Sequence, residues 1–480
     1  MATTMFGLVV VALVVASAAA HHEFTVHRAI QYDVAGERFG SRSSHVNLPG
    51  AVGESTPTHS IRLLQPCLDS EQVDLDTNSS ATLVLLPKDP SPSQISCLKS
   101  MELSILSREW NQPIYFAFED SETKKIAGHV AANTHGRYQF TVSTAEAQPA
   151  PSPRFTNLHG WLSGRSDARE EIIAVVAGWD SFSAVPGLTS GDASSVAAIL
   201  EMMRVFRRIR DTEGLGKYSF LFVVTGSSAL DGLGSKKFLS SVDARVLENL
   251  QLVICLDWLS NDKLYIHSTL ESTQSAVFVK FQNAMLRSAK EAGMEVETFP
   301  KEIASSDDQA QFEHNHFAKE HLFAVTVSGR PSLPEHRFRI SSMFDDKVSC
   351  EKVARSTNVI VEALARYIFD VEDAGLAQGS LSVNVDSLSS WMNYLHSQPT
   401  IAAALPKESS VIDDLRQELD SFLEDVKADS FDDGTFRVFA DIPKRLSAFQ
   451  VKPFLFDIGL IAGVSAYLAS FYFTCKHFAR

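Results

Sequence analysis

Cysteine is scarce in this chain, which has five in 480 residues. Five cysteines are too few for a fold that depends on many disulfides. Cys67 and Cys97 lie in the same N-terminal part of the chain and can pair in an oxidising compartment. Cys255 sits inside an apolar run and is predicted to be a buried free thiol. Cys475 lies at the edge of an apolar C-terminal segment, where cysteines can be palmitoylated.

Basic residues are outnumbered as well. The sequence has 43 Lys and Arg against 58 Asp and Glu, a formal net charge of −15. Because an acidic chain repels a phosphate backbone, we expect no nucleic-acid partner. The sequence also lacks internal repeats and low-complexity tracts, and its length suits roughly two or three domains.

Long apolar runs occur only at the two ends. Residues 1–20 carry an apolar run that is too short to span a bilayer and end in small residues, which predicts a cleaved signal peptide. The first residues contain no Lys or Arg, so an uncleaved N-terminal anchor is the alternative. Residues 453–474 are long enough to cross a membrane as one transmembrane helix.

A signal peptide together with a C-terminal span predicts a single-pass type I protein. Most of the chain would then be lumenal, with residues 475–480 as a short cytosolic tail whose basic character agrees with the positive-inside rule. Asn78 begins an Asn-Ser-Ser sequon, and it is expected to be glycosylated if it faces the lumen.

The segments between these ends predict an α/β fold. A small N-terminal α/β lobe is expected over 21–150, with a linker at 146–153. A larger domain over 151–370 has apolar strands separated by helices, which predicts a mainly parallel mixed sheet flanked by helices on both faces. Its strands are predicted at 171–177, 218–225, 252–256, 264–266 and 323–327, and its longest helices at 196–209 and 353–368. Residues 371–450 are predicted to be amphipathic helices, from an apolar stripe that runs from Val411 to Val426.

The predicted strand ends resemble the scaffold of a zinc aminopeptidase but lack most of its chemistry. A co-catalytic zinc site needs histidines and carboxylates around two cations, and a further carboxylate as the base. The positions where these groups are expected are held by Gly178, Asp180, Asp192, Ser228, Ala229, Asp257 and Ser342. Glycine and serine replace both histidines, and the Glu-Glu pair is absent, so we expect no catalytic residue, no bound metal and no cofactor. Asp192 also suits the cap of the following helix, and capping is the favoured role.

Two other functions remain open from the residues alone. An active metallo-aminopeptidase with a rearranged site would use Asp192, Asp231, Asp257 and His336. A receptor-like module would bind peptide termini in the vestigial cleft beside Trp179. The Glu-His-Asn-His stretch at 313–316 resembles a metal cluster, but we predict a loop with satisfied imidazoles. The sequence at 226–229 is not a Gly-x-Ser-x-Gly elbow, which argues against a serine hydrolase.

The predicted membrane helix carries a face of small residues. Gly459 and Gly463 form a GxxxG pattern that Ala466 continues, and such a face allows two helices to approach closely in lipid. Asp457 near the membrane boundary must reach water or a partner. We therefore predict a membrane partner face at these four residues, although GxxxG also arises by chance in apolar spans.

Several local motifs carry a family resemblance that extends over nearly the whole chain. They are the segments HEFTVHR at 22–28, QYD at 31–33, EIIAVVAGWDSF at 171–182, EH at 313–314 with FA at 317–318, VKP at 451–453 and FD at 456–457. With these motifs the chain resembles the nicalin family, membrane-anchored relatives of nicastrin within the M28 aminopeptidase-like superfamily. Gly178 departs from that family, whose members keep a histidine at this position.

The resemblance implies a function without catalysis. It implies a scaffold subunit in the endoplasmic reticulum membrane, associated with the translocon during insertion of multi-pass membrane proteins. The implied partners are a Nodal modulator-like lumenal protein and a small polytopic membrane protein.

Overall fold

The computed structural model describes residues 21–42, 44–53, 57–67, 75, 79–132, 138–142, 154–164, 170–186, 188–189, 193–302, 311–334, 336–345, 347–371, 375, 379–398, 410–439, 444–451 and 454–478. The predicted signal peptide, Asn78, the linker at 146–153 and Asp192 lie outside the described residues. Internal contacts divide the chain into two compact units, one containing residues 1–31, 39–148 and 441–480, the other residues 32–38 and 149–440.

The first unit contains a closed barrel of seven strands. In chain order, these are β1 (His21–Arg28), β4 (Val46–Ala51), β5 (Ile61–Leu64), β6 (Ala81–Leu86), β8 (Ile114–Phe118), β9 (Tyr138–Val142) and β19 (Lys444–Gln450). Their order around the barrel is β1-β19-β9-β4-β5-β6-β8. Every side chain of β6 is buried, and its neighbours β5 and β8 both run parallel to it. The C-terminal strand β19 therefore completes a barrel that begins at residue 21.

The same unit contains the helices α1 (Pro92–Ser107) and α2 (Ser121–Ala132). Ser91 starts α1 with a capping box, in which its hydroxyl accepts from the backbone N–H of Gln94 and the Gln94 side chain accepts in return. This pairing satisfies two of the free N–H groups at the helix start. A disulfide joins Cys67 to Cys97 in α1, with the two Cα atoms 6.0 Å apart. The short β7 (Glu109–Trp110) pairs with residues 40–41 of β3 (Glu37–Ser41).

The second unit is built on an eight-stranded sheet. Its strands are β10 (Arg154–Leu162), β11 (Glu171–Gly178), β12 (Tyr218–Thr225), β13 (Leu250–Asp257), β14 (Lys263–Thr269), β15 (Glu295–Lys301), β16 (Ala324–Ser328) and β17 (Glu424–Asp432). The order is β15-β14-β16-β13-β11-β12-β10-β17, and the four central strands are mutually parallel. The strands β10 and β14 join this centre in antiparallel pairs. The predicted α/β class with a mainly parallel mixed sheet is confirmed.

Helices cover both faces of this sheet. The main helices are α3 (Ser194–Thr212), α4 (Leu233–Ser241), α5 (Ala244–Asn249), α6 (Ala276–Glu291), α7 (His314–Lys319), α8 (Cys350–Phe369), α9 (Val385–His396) and α10 (Val411–Phe422). Alternate residues of β11 point to opposite faces, with Ile173 and Val175 in one apolar core and Ile172 and Ala174 in the other. Burial on both faces explains why these strands are continuous apolar runs in the sequence. Cys255 in β13 is a buried free thiol, as predicted.

The prediction of helices throughout 371–450 is wrong beyond residue 422. The structure has α9 and α10, but residues 424–432 form the edge strand β17, and 436–439 form β18 (Phe436–Phe439) beside β2 (Gln31–Val34). Strand β17 pairs with β10 over most of its length, so Val426 belongs to a strand and not to the helical stripe. Backbone pairing with a neighbouring strand has overridden the local helical pattern.

The last helix is α11 (Phe454–Phe478). Within it, residues 457–476 are long and apolar enough to cross a membrane, with a mean hydropathy of 1.6, and the protein buries none of this stretch. A candidate membrane-spanning helix thus stands where the sequence predicts one.

Candidate functional site

The carboxyl ends of the parallel strands β11, β12 and β13 bring together most of the positions predicted for a peptidase-like site. Strand β11 ends at Gly178, with Asp180 two residues on. Strand β12 leads into a turn that carries Ser228 and Ala229, and β13 ends at Asp257. Because parallel strands place their carboxyl ends along one edge of the sheet, this is where ligands bind in open α/β folds. Among the described positions, Gly178, Asp180, Ser228 and Asp257 form one buried cluster.

Gly178 is in direct contact with the turn after β12. A Cβ atom added to Gly178 would clash with Cβ and Oγ of Ser228, and it would lie 3.3 Å from Nη2 of Arg339. Ser227, which begins the turn, has a φ of 61°, a backbone conformation that costs energy for a residue with a side chain. The space that a histidine would need at position 178 is therefore already filled by Ser228.

Asp180 is buried beside this contact, with 6% of its surface exposed. Its Oδ1 accepts a hydrogen bond from the backbone N–H of Ser228 at 2.8 Å. Burial raises the pKa of this carboxyl to about 7, and the Ser228 N–H and Arg339 oppose that shift only in part. Asp180 thus ties the end of β11 to the turn after β12.

The raised pKa predicts how stability depends on pH. The folded protein keeps a proton on Asp180 between about pH 4 and pH 7, where the unfolded chain has released it, so the folded state loses stability as the pH rises through this window. In Asp180→Asn that penalty is gone. We expect the stability of the variant relative to the parent to increase by roughly 2 kcal/mol from pH 5 to pH 8, measured by melting the full chain at both values.

Asp243→Asn is the control for this measurement. Hydrogen bonds from Arg245 lower the pKa of the Asp243 carboxyl to about 2, so it stays ionised throughout the window. The difference between this variant and the parent should be the same at both pH values. An equally constant difference for Asp180→Asn would contradict the raised pKa.

Asp257 pairs with an arginine. Its Oδ1 lies 3.5 Å from Nη1 of Arg339, and its Oδ2 accepts from the hydroxyl of Ser328 at 2.7 Å. Burial by itself raises the pKa of the Asp257 carboxyl, but Arg339, Arg330 and the Ser328 hydroxyl together hold it below its usual value. Asp257 is therefore a buried, ionised carboxylate whose counter-ion is a guanidinium.

Glu313 places a third carboxylate in the cluster. Its Oε1 accepts from the hydroxyls of Thr225 at 2.8 Å and Ser235 at 2.7 Å, and its Oε2 accepts from Ser228 at 3.2 Å. Only 3% of its surface is exposed. Three hydroxyl donors surround this carboxylate, so it fastens the turn after β12 to the start of α7.

The remaining predicted site residues lie in other surroundings. Asp231 is half exposed, and its Oδ2 lies 2.5 Å from Nζ of Lys236. His336 accepts from the backbone N–H of Phe338 through Nδ1 at 3.1 Å. Ser342 lies in a turn, where its hydroxyl accepts from the backbone N–H of Phe344 at 3.0 Å. In the described part of the chain, no three His, Cys, Asp or Glu side chains are grouped in a way that could hold a metal ion.

The stretch at 313–316 is not the predicted loop, because residues 314–319 form α7. His314 contacts the Thr326 hydroxyl through Nδ1 at 2.9 Å, and burial lowers the pKa of this imidazole to about 3. Burial also lowers the pKa of His316 to about 4. Nε2 of His316 is buried against Gly232 with no hydrogen-bond partner among the described residues. Both imidazoles are thus neutral groups that belong to the packing of a short helix.

These surroundings do not fit zinc. Gly178 offers no ligand atom, Ser228 occupies its space, and the one carboxylate of the cluster with a lowered pKa faces a guanidinium that would repel a metal cation. Sequence reasoning missed the two groups that organise the cluster, Arg339 and the carboxylate of Glu313. The sequence around Glu313 resembles a metal cluster, whereas no local pattern marks Arg339.

Comparisons with known proteins identify relatives of this chain. Residues 157–338 match Peptidase family M28. Over 96% of its length the chain is 28% identical to the zebrafish (Danio rerio) protein named BOS complex subunit ncln, of which it covers 91%. It is 27% identical to the human BOS complex subunit NCLN, in an alignment that covers 98% of this chain and 92% of the human protein. A Caenorhabditis elegans relative named Nicalin is 23% identical, with 95% of this chain and 90% of that protein covered. The predicted resemblance to nicalin is confirmed.

A solved structure supports the fold. The crystal structure of nicastrin, a component of gamma-secretase, superposes with a TM-score of 0.60 at 9% sequence identity. The superposition covers 89% of this chain and 99% of the nicastrin chain. Identity this low shows only that the two share a fold. The nicalin relatives are named as subunits of a complex, and the chain combines an M28 peptidase-like domain with a candidate membrane helix.

Proposed function

We propose that this protein is a non-catalytic scaffold subunit of an endoplasmic reticulum membrane complex that associates with the translocon and supports the insertion of multi-pass membrane proteins. The observation that carries the proposal is the filled site at the strand ends, where Gly178 packs on Ser228 and leaves no room for a metal-binding side chain at position 178. Function follows the chemistry of a site and not the fold around it, so a peptidase-like sheet without that chemistry favours a structural role.

The full-length similarity to proteins named as BOS complex subunits supports this role. By the same similarity, the partners proposed here are a Nodal modulator-like lumenal protein, a small polytopic membrane protein and the translocon. A lumenal position for both units and a type I orientation belong to the same proposal.

We further propose that α11 binds a membrane partner through Asp457, Gly459, Gly463 and Ala466. A Cβ atom added to Gly459 or Gly463 would contact nothing within 4 Å, so larger residues at these positions leave the protein's own packing intact. A loss of binding in such variants would therefore report on a partner helix.

The test is affinity purification of the full tagged chain from membranes in mild detergent. We expect translocon-associated multi-spanning proteins to co-purify with the parent, and their recovery to fall several-fold with Gly459→Leu/Gly463→Leu. Ile461→Leu and Leu468→Ile are matched controls on exposed positions of the same helix, and recovery should be unchanged with them. Recovery of no such membrane proteins by the parent would overturn the proposed function. Equal recovery by the glycine variant would overturn only the proposed helix face.

A further inference from the structure

We propose that the guanidinium of Arg339 takes the place of a metal cation in this peptidase-like fold, as the fixed internal positive charge that holds the buried carboxylate of Asp257 at the strand ends. The inference concerns the stability of the second unit, and it does not depend on the partners or location of the protein.

The first support is the burial of the charges. Asp257 is 3% exposed and Asp180 is 6% exposed, so water can stabilise neither carboxylate. A buried carboxylate is strongly unfavourable unless a cation or several hydrogen-bond donors accompany it. Nη1 of Arg339 lies 3.5 Å from Oδ1 of Asp257, and the Arg339 side chain itself is only 12% exposed. The attraction of Arg339 also opposes the upward shift of the Asp180 pKa that burial causes.

The second support is that the backbone fixes the arginine in place. The N–H of Arg339 donates to the carbonyl of Ala229 at 2.9 Å, in the turn after β12. The next residue, Ile340, forms a β-bridge with Phe182, and the N–H of Ser341 donates to the Phe182 carbonyl at 2.8 Å. The segment that carries Arg339 is thus bonded to the loops after both β11 and β12. A charge held by a fixed framework needs little reorganisation to compensate its partners.

A third support comes from the aromatic packing around Phe338, the residue before Arg339. The ring of Phe338 contacts Phe182 with centroids 5.1 Å apart, and Tyr32 contacts Phe182 at 5.0 Å. Phe436 contacts both phenylalanines, with centroid distances of 6.1 and 6.0 Å. These contacts pack the Arg339 segment, through Phe338, against the loop after β11.

The fourth support is the glycine at the expected histidine position. Nη2 of Arg339 lies 3.3 Å from where a Cβ of residue 178 would be, so a side chain at 178 would press on the guanidinium and displace it. A ligand histidine at 178 and the cation of Arg339 would compete for one space. The absence of a histidine at 178 and the presence of the Arg339 guanidinium therefore depend on each other.

The test compares two arginine variants of the full chain, purified in detergent. Arg339→Met removes the cation from its buried partner, and we expect its melting temperature to fall by about 5–15 °C. Arg245→Met removes the exposed partner of Asp243, and this side chain is 84% exposed. The control should melt within about 1–2 °C of the parent, because surface ion pairs contribute little.

A double variant separates charge compensation from simple packing. At pH 6, where Asp180 keeps its proton, Asp257→Asn/Arg339→Met leaves neither aspartate as an anion that needs a cation, and the side-chain oxygen of the substituted amide can still accept from Ser328. We therefore expect most of the lost melting temperature to be recovered. The melting temperature of Arg339→Lys should lie between those of the parent and Arg339→Met, since lysine keeps the positive charge but lacks the planar guanidinium with its several N–H donors. If Arg339→Met does not accumulate, the double variant and Arg339→Lys are still expected to yield folded protein.

Metal content supplies the complementary measurement. We expect less than stoichiometric zinc in the parent by plasma mass spectrometry, and an unchanged melting temperature after dialysis against EDTA. The proposal is overturned if Arg339→Met melts no lower than Arg245→Met, or if the double variant is no more stable than Arg339→Met. Stoichiometric zinc whose removal lowers the melting temperature would also overturn it.

Discussion

Gly178→His is expected to destabilise the second unit by more than about 4 kcal/mol and to bind no zinc. The substitution introduces the histidine that the resemblance to zinc aminopeptidases predicts at this position. Its Cβ, however, would clash with Ser228, and the imidazole would compete with Arg339 for the same space. Because Gly178 is the last residue of a buried central strand, the backbone has little freedom to relieve the clash. Melting of the full chain and its zinc content are the two measurements.

The matched control is Gly434→His, at an exposed glycine where an added Cβ contacts nothing within 4 Å. It should melt like the parent. The double variant Gly178→His/Ser228→Gly removes Cβ and Oγ of the serine, so part of the lost stability should return. A Gly178→His protein that melts like the parent and takes up stoichiometric zinc would show that Ser228 and Arg339 do not fill the space of a histidine at this position.

Glu313→Ala is the second substitution with a large expected effect, a loss of about 3–6 kcal/mol in the free energy of unfolding. The change leaves the hydroxyls of Thr225, Ser228 and Ser235 without their shared acceptor in a buried environment. Each unsatisfied buried donor costs about 1–3 kcal/mol, and a cavity forms where the carboxylate was. Chemical or thermal denaturation of the full chain measures the loss.

Glu313→Gln is the matched control for the same site. Its side-chain oxygen can still accept from Thr225 and Ser235, and its NH₂ group can donate to the Ser228 hydroxyl, so we expect a loss of about 1 kcal/mol or less. Glu320→Ala changes an exposed glutamate just after the same helix and should have little effect. If Glu313→Ala cost no more than Glu320→Ala, the carboxylate would have no structural role.

The central sheet could be predicted from sequence because its strands are buried on both faces. Burial on two sides makes each strand a continuous apolar run, and the runs at 171–177 and 218–225 lie within β11 and β12. The edge strand β17 could not be predicted in this way. Its residues Glu424–Asp432 are mostly exposed on both sides, so neither an apolar run nor an alternation marks them. Its backbone pairing with β10, far away in the sequence, makes it a strand.

For the candidate site, too, part could be predicted from the sequence and part only from the tertiary structure. The sequence by itself determined that glycine stands at the end of the first central strand and that Ser228 and Ala229 follow the next, because the identity of a residue such as Gly178 limits its chemistry wherever it lies. Only the tertiary structure decided what fills the site. Arg337 and Arg339 are two residues apart on one segment, yet the first is exposed and the second reaches Asp257. Charge compensation depends on distance and burial, and these arise when strands remote in sequence end at one edge of a sheet.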